Sequence, residues 1–343
     1  AAPRHVHSHF AGIGARTCWW LRKFTGVSTS FTAHANDIFC KPEPQSPAFE
    51  RLFQDAALIV TVSDFTARQL RQQYPAAAAR VQRVYNGLDL QPLIDARASA
   101  ERSRAPGGIL SVGRLIEKKG YPDLVTACAH LRDQGIPFTC RIVGEGPLEE
   151  ALRRQISELH LEASVHLTGP LGMGEIIRLL AEETQLFALA CATESDGGKD
   201  NLPTVLMEAM AASLPCVSTR LAGVPEMVLE NQTGLLCAER DPESFARHLA
   251  TLLQDPALCE TMGRAGLAHA QALFSQATTS RALITAFASQ GDLRVTPELG
   301  TRHPWLRSLV ARRLLRRLTT PQLRHRLPKV SGKNFDLDRF IGG

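Results

Sequence analysis

The sequence predicts an α/β protein of two domains, each built on a parallel sheet, and three observations predict it. Short apolar runs of strand length alternate with amphipathic runs of helix length, the pattern of strand, crossover helix and parallel strand. That alternation is interrupted from Leu90 to Gly107, where the chain turns polar and rich in Ala, Arg and Ser before reaching Pro106-Gly107-Gly108, and the break reads as an interdomain linker. Several strand ends carry Gly, His, Lys, Arg or an acid, and open α/β sheets place ligand chemistry at the carboxyl ends of their strands. A length of 343 residues leaves ample core for two such domains.

Residues 1–105 form the first domain. The chain opens without Met on Ala-Ala-Pro-Arg, which reads as the middle of a domain, so this domain is expected to be incomplete. His5 to Phe10 is a strand end, Gly12 to Phe24 a helix, and Val27 to Thr32 a strand running into Ala33-His34-Ala35-Asn36-Asp37. Leu58 to Val62 is a buried strand, and Ser63 caps a helix over 64–73. Val81 to Val84 is a further strand, closed by the turn at Asn86-Gly87.

Residues 106–275 form the second domain, with strands at 109–113, 139–144, 165–169, 186–190, 216–219 and 234–237 and helical patterns between them. A helix over 276–295 leads back towards the first domain, and 296–343 is a basic tail. That tail holds eleven Lys and Arg against three acids, so the net charge of +5 becomes −3 for the rest, which gives no reason to expect nucleic acid. Within it, Trp305 to Leu318 alternates Leu and Arg as a short basic amphipathic helix. It fits an anionic membrane surface and fits equally a helix packed on the first domain.

The stretch from Asp200 to Glu208 organises the chemistry. Asn201 is a candidate cap and Pro203 suits the first helical turn. Thr204 and Glu208, four apart, share one face, opposite Val205, Leu206, Ala209 and Met210. A helix start favours an anion, and a carboxylate on the open face can accept hydrogen bonds from vicinal hydroxyls, as of a ribose. These residues alone fit an amphipathic helix with a solvated Glu as well. Arg114 and Lys119, after the first strand of the domain, suit a diphosphate as fork and point charge. Gly144 and Gly146 end the second strand and let backbone approach a flat ligand. Leu167 lies in the third, in Val165-His-Leu-Thr-Gly169.

His5, His7 and His9 alternate and share a strand face, but no carboxylate or Cys completes a ligand set, so no metal is expected. Eight scattered cysteines with no Cys-x-x-Cys spacing read as buried thiols in a cytosolic protein.

Taken in order, the motifs resemble glycosyltransferase family 4, the retaining GT-B nucleotide-sugar transferases, and within it enzymes of bacterial exopolysaccharide synthesis of the colanic-acid type. They are His-Ser-His-Phe, Phe-Thr-Ala-His-Ala-Asn-Asp-Ile-Phe, Val-Ser-Asp-Phe, Tyr-Asn-Gly-Leu-Asp, Gly-Arg-Leu-Ile-Glu-Lys-Lys-Gly, Gly-Glu-Gly-Pro, Leu-Pro-Thr-Val-Leu-Met-Glu-Ala-Met-Ala and Gly-Val-Pro-Glu, within residues 5–290. The resemblance implies two facing Rossmann-like domains. It implies that Arg114 and Lys119 hold the donor diphosphate, with the backbone of Leu202, Pro203 and Thr204 as phosphate-binding turn. Glu208 matches the second acid of the family's E-x7-E motif, on the ribose. Asp200 falls where the first acid meets the transferred sugar, with Asp for Glu and Asn201 for the usual Gly. His34 matches a histidine near donor sugar and acceptor, and His5 to His9 a sugar-side wall of the cleft.

The resulting expectation is a retaining glycosyltransferase with His34, Asp200 and Glu208 in catalysis. It would take a nucleotide-diphosphate sugar and a glycan or lipid-linked acceptor, with no cofactor and no metal, in the cytoplasm or at the inner face of the membrane. The rivals are a nucleotide-sugar epimerase or hydrolase on the same fold, and a non-catalytic nucleotide-sugar binder.

Overall fold

The computed structural model describes residue 3 and residues 5–39, 47–100 and 106–289. The basic segment 305–318 and Cys40 therefore lie outside the described residues.

The first sheet is parallel, in the order β1 (His5–His9), β2 (Ser28–Ala33), β3 (Leu58–Thr61), β4 (Val81–Arg83). Alternation sorts its side chains onto two faces. Phe31, Ala33 and Ile59 pack beneath α1 (Ile13–Thr25), α3 (Pro47–Asp55) and α4 (Asp64–Gln73). Leu58, Val60 and Val84 pack instead against Leu283, Ala286 and Phe287 of α13 (Gln276–Ala288), which returns from the far end of the chain. A four-residue helix, α2 (Ala35–Ile38), follows β2.

The second sheet has six parallel strands: β5 (Gly108–Val112), β6 (Thr139–Val143), β7 (Val165–Gly169), β8 (Leu186–Leu189), β9 (Cys216–Thr219) and β10 (Gly234–Cys237). Their order is β10-β9-β8-β5-β6-β7, so the direction of winding reverses between β5 and β8. Neighbouring residues take opposite faces. Ile109, Leu186 and Ala188 meet α6 (Tyr121–Asp133), α7 (Glu149–Glu158) and α11 (Pro242–Gln254). Leu110, Phe187 and Leu189 meet α9 (Thr204–Ala211) and the end of α12 (Pro256–Phe274). Two short helices, α8 (Met173–Arg178) and α10 (Val224–Met227), complete the set. Burial on both faces is why these strands read as continuous apolar runs.

One expectation fails here. Residues 91–99, inside the expected linker, form a helix, α5 (Gln91–Ser99). Leu90 and Leu93 are buried among Leu110, Val143 and Leu206 of the second domain. The helix is mostly polar or small, with few apolar anchors, so composition alone presented it as linker.

The seven described cysteines are free and buried. Among the described residues no helix is long and apolar enough to cross a membrane, and no group of three or more His, Cys, Asp or Glu could hold a metal ion.

Candidate functional site

The reversal between β5 and β8 leaves the loops that follow them to diverge over opposite faces of the sheet, opening a crevice at the carboxyl edge. The loop after β5 carries Arg114, Lys118 and Lys119, and the loop after β8 runs to Asp200 and the start of α9. They are tied together across the switch point. The Ala192 N–H donates to the Lys118 carbonyl at 3.1 Å, and the Ser195 N–H to the Glu117 carboxylate at 3.2 Å.

The strongest tie is ionic. Lys119 Nζ lies 2.5 Å from Asp200 Oδ2 and Lys118 Nζ 3.8 Å from Oδ1, with all three side chains 13–15% exposed. Two cations on one carboxylate leave a local excess of positive charge. Burial makes that charge felt more strongly than it would be in water. Arg114, exposed on the same loop, makes no ion pair with another described residue.

Glu208 sits one turn into α9, half-buried, and burial pushes its carboxyl above the usual range. No hydrogen bond or ion pair satisfies that carboxylate among the described residues. Of the two readings the residues left open, a fully solvated Glu does not fit this half-buried position. Thr204 opens the helix with no side-chain cap.

Two further expectations are corrected. Pro203 occupies the cap position rather than the first turn, and Asn201 caps nothing. The Asn201 side chain is buried; its Oδ1 accepts from the Ser63 hydroxyl at 2.7 Å and its amide donates to Thr66 Oγ1 at 3.3 Å, both in the first domain. The chain itself requires glycine at 144 and at 146. A Cβ on Gly144, whose φ is +143°, would strike the Gly113 carbonyl, and one on Gly146 would come 2.5 Å from the Leu115 carbonyl oxygen. Leu167 packs on the domain's core from β7, at the sheet edge away from the switch point. Leu202 and Pro203 are buried beneath the loop.

Across the interface, His34 stands at the end of β2 as the N-cap of α2, its backbone N–H donating to Asp37 Oδ2 at 2.8 Å. Its ring lies between those of His9 and Phe10, at 5.7 and 4.5 Å between centroids, and its Nε2 is 3.4 Å from His9 Nδ1. Burial, with His9 beside it, lowers its pKa, so the ring is neutral at pH 7. His5 and His7 do share a face with His9, but that face is covered: both rings contact Phe287 of α13. They hydrogen-bond Ser28, Ser30 and Thr32 along β2, and only His9 reaches the cleft end of the row. Two of the three histidines of the wall expected to be sugar-side are therefore partly covered by α13.

Sequence reasoning missed Lys118, and it missed that Val-Ser-Asp-Phe and Gly-Val-Pro-Glu meet. The Glu226 carboxylate accepts from the backbone N–H of Asp64 at 2.7 Å and of Phe65 at 2.8 Å, and the Tyr85 hydroxyl donates to it at 3.2 Å. Both motifs were legible; a contact across 162 positions leaves no periodic trace.

The model of the glycosyl transferases group 1 matches residues 96–269, and that of glycosyltransferase family 4 matches residues 2–92. The chain belongs to the group 1 glycosyl transferases. It is 35% identical over 256 residues to the putative colanic acid biosynthesis glycosyltransferase of Escherichia coli, covering 72% of this chain and 61% of that one. It is 32% identical over 281 residues to the amylovoran biosynthesis glycosyltransferase of Erwinia amylovora, covering 81% and 68%. The chain thus spans about three-fifths of the first of these relatives. Among solved structures it is similar to sucrose-phosphate synthase from Thermosynechococcus elongatus, with TM-score 0.67, 20% identity and coverage of 83% and 73%. It is also similar to an Anabaena protein solved in complex with UDP, with TM-score 0.63, 21% identity and coverage of 76% and 72%. Likeness at that identity establishes the fold, the GT-B pairing of facing Rossmann-like domains.

Proposed function

We propose that this group 1 glycosyl transferase moves a sugar, with retention at the anomeric carbon, from a nucleoside-diphosphate sugar to a glycan or lipid-linked acceptor in exopolysaccharide synthesis. The observation that carries the reading is the largely covered Lys118–Lys119–Asp200 cluster at the switch point, beside an uncapped helix start and the unpartnered Glu208. The names of the Escherichia and Erwinia relatives support the polysaccharide setting, and the UDP of the Anabaena protein supports a nucleotide as ligand.

In this reading Arg114, Lys119 and the start of α9 at Leu202 to Thr204 hold the diphosphate. They stabilise the charge that grows on it as the bond to the anomeric carbon breaks, which is the largest kind of catalytic contribution. Glu208 accepts from the ribose hydroxyls and Asp200 from the transferred sugar. The acceptor oxygen attacks from the face the phosphate leaves, and its proton passes to a departing phosphate oxygen. Protein cations do the work a divalent ion does elsewhere, so no metal is used. Neutral His34 sits where donor sugar and acceptor meet. The basic segment 305–318 would hold the protein to an anionic membrane surface, near a lipid-linked acceptor.

Release of nucleoside diphosphate from a panel of sugar nucleotides, with and without lipid-linked oligosaccharide, tests this. Acceptor-dependent release with product of unchanged anomeric configuration is expected. Release that ignores the acceptor points to a hydrolase, and binding without release to a carrier.

A further inference from the structure

In place of the Gly that the motif usually carries there, this chain has Asn201, beside the proposed sugar-binding Asp200. The Asn201 side chain is nearly inaccessible, at 3%, yet both ends of its amide are satisfied, and both partners belong to the first domain. Ser63, one of them, caps α4 by accepting the Thr66 N–H at 3.1 Å. Glu226 takes the two preceding N–H groups of the same helix, at Asp64 and Phe65. A helix start leaves its first N–H groups without intrahelical partners. Here two of the three are completed by a carboxylate of the opposite domain, and the third by a serine that the opposite domain holds.

The two gripping residues are themselves connected. The Gly223 N–H donates to the Asn201 carbonyl at 3.0 Å, and Gly223 opens the short helix that carries Glu226. A Cβ on Gly223 would lie 2.5 Å from the Asn201 carbonyl oxygen and 2.9 Å from Ser63 Cβ, so three chain segments meet there in van der Waals contact. The donor loop therefore has no independent position: its residue next to Asp200 is fixed to α4.

We propose that Asn201 is a positioning residue: with Glu226 it grips the start of α4, so that the loop carrying Asp200 takes its reactive shape only while the two domains are docked. The proposal deepens the transferase reading and rests on it for its kinetic consequence. Its structural consequence stands without that reading. Transfer would be coupled to docking, the state in which the acceptor-side His34 and the donor face each other and bulk water is excluded.

The test is Asn201→Gly, with Glu226→Gln and the double variant, in the full chain. Turnover should fall roughly tenfold in Asn201→Gly, while the Kd for free UDP or GDP stays within about twofold, because the two cationic diphosphate contacts, Arg114 and Lys119, lie on the loop after β5 and outside the grip. The losses in turnover of the two single variants should be markedly non-additive, since both act through one helix start. Amide hydrogen exchange should rise at 64–66 and 200–202 and not across the second sheet. Parent-like turnover, or additive losses, would overturn the coupling. If the parent turns over no sugar nucleotide, the transferase reading falls, and exchange still decides: protection at 64–66 unchanged by Asn201→Gly would refute the grip.

Discussion

The carboxyl edges of the two sheets are built on opposite electrostatic plans. On the second domain, Lys118 and Lys119 hold Asp200 in a nearly buried cluster, and Glu208 is a half-buried carboxylate pushed towards protonation by its surroundings. On the first domain the same edge carries His9 and His34, and behind them His7, whose pKa is lowered to about 4 by burial and then by His9, His5 and His34. One side is charged and exchanges ion pairs; on the other, burial first and neighbouring imidazoles second hold the pKa values of His7 and His34 below the ordinary value. A charged edge suits an anionic diphosphate, whereas neutral imidazoles can trade hydrogen bonds with hydroxyls without desolvating a charge.

Breaking the charged side should cost most. Glu208→Ala is expected to lower kcat/KM by up to roughly 150-fold with the fold intact by circular dichroism, through loss of about 1.5–3 kcal/mol of charge-assisted ribose bonding. Parent-like turnover would remove Glu208 from the donor site. Next is the neutral side: His34→Gln should lower turnover by roughly 10²-fold while donor affinity stays put, because a residue on the acceptor edge acts after the donor is bound. Equal losses in binding and turnover would erase the contrast between the edges.

Asp200→Glu sharpens the comparison within the charged edge. The longer acid still pairs with Lys118 and Lys119, so nucleoside-diphosphate affinity should hold within about twofold, while the preference among sugar nucleotides shifts. A change in diphosphate affinity alone would place Asp200 on the wrong part of the donor.

The smallest effect concerns pH. The folded pKa of His7 lies below the ordinary 6.5, so between 6.5 and about 4 the unfolded chain binds a proton that the folded chain does not. Stability should therefore fall as pH drops through that window, by about 1–2 kcal/mol once partial solvation of the ring is allowed for. His7→Asn should flatten the fall in a urea-melt series, and an unchanged slope would assign the acid sensitivity elsewhere.

Much of this was legible in the sequence because its signals are local. Strand runs such as Leu58 to Val62, the Ser63 cap, and Arg114, Lys119 and Glu208 at their spacing announce themselves over a few residues. What was misread depends on distant partners. Asn201 looked like a cap because Asn caps helices; the geometry gives it to Ser63, 138 positions away. At Gly144 the sequence suggested close approach of a ligand, and the fold adds that the Gly113 carbonyl leaves no room for a side chain. For Glu208 the sequence left a ligand-facing and a solvated carboxylate open, and its half-burial is visible only in the fold. α5 looked like linker because the apolar partners of Leu93 come from another part of the chain.

The central claim is that the cations after β5 take the donor's diphosphate, with Lys119 exchanging Asp200 for it. Calorimetric titration of UDP, GDP and their unphosphorylated nucleosides into the parent, Arg114→Ala and Lys119→Ala tests it most directly. Each variant should weaken the parent's preferred nucleoside diphosphate by at least roughly tenfold, leave the nucleoside unchanged, and flatten the dependence on salt. Undiminished diphosphate binding in Lys119→Ala, or an equal loss for the nucleoside, would contradict the account.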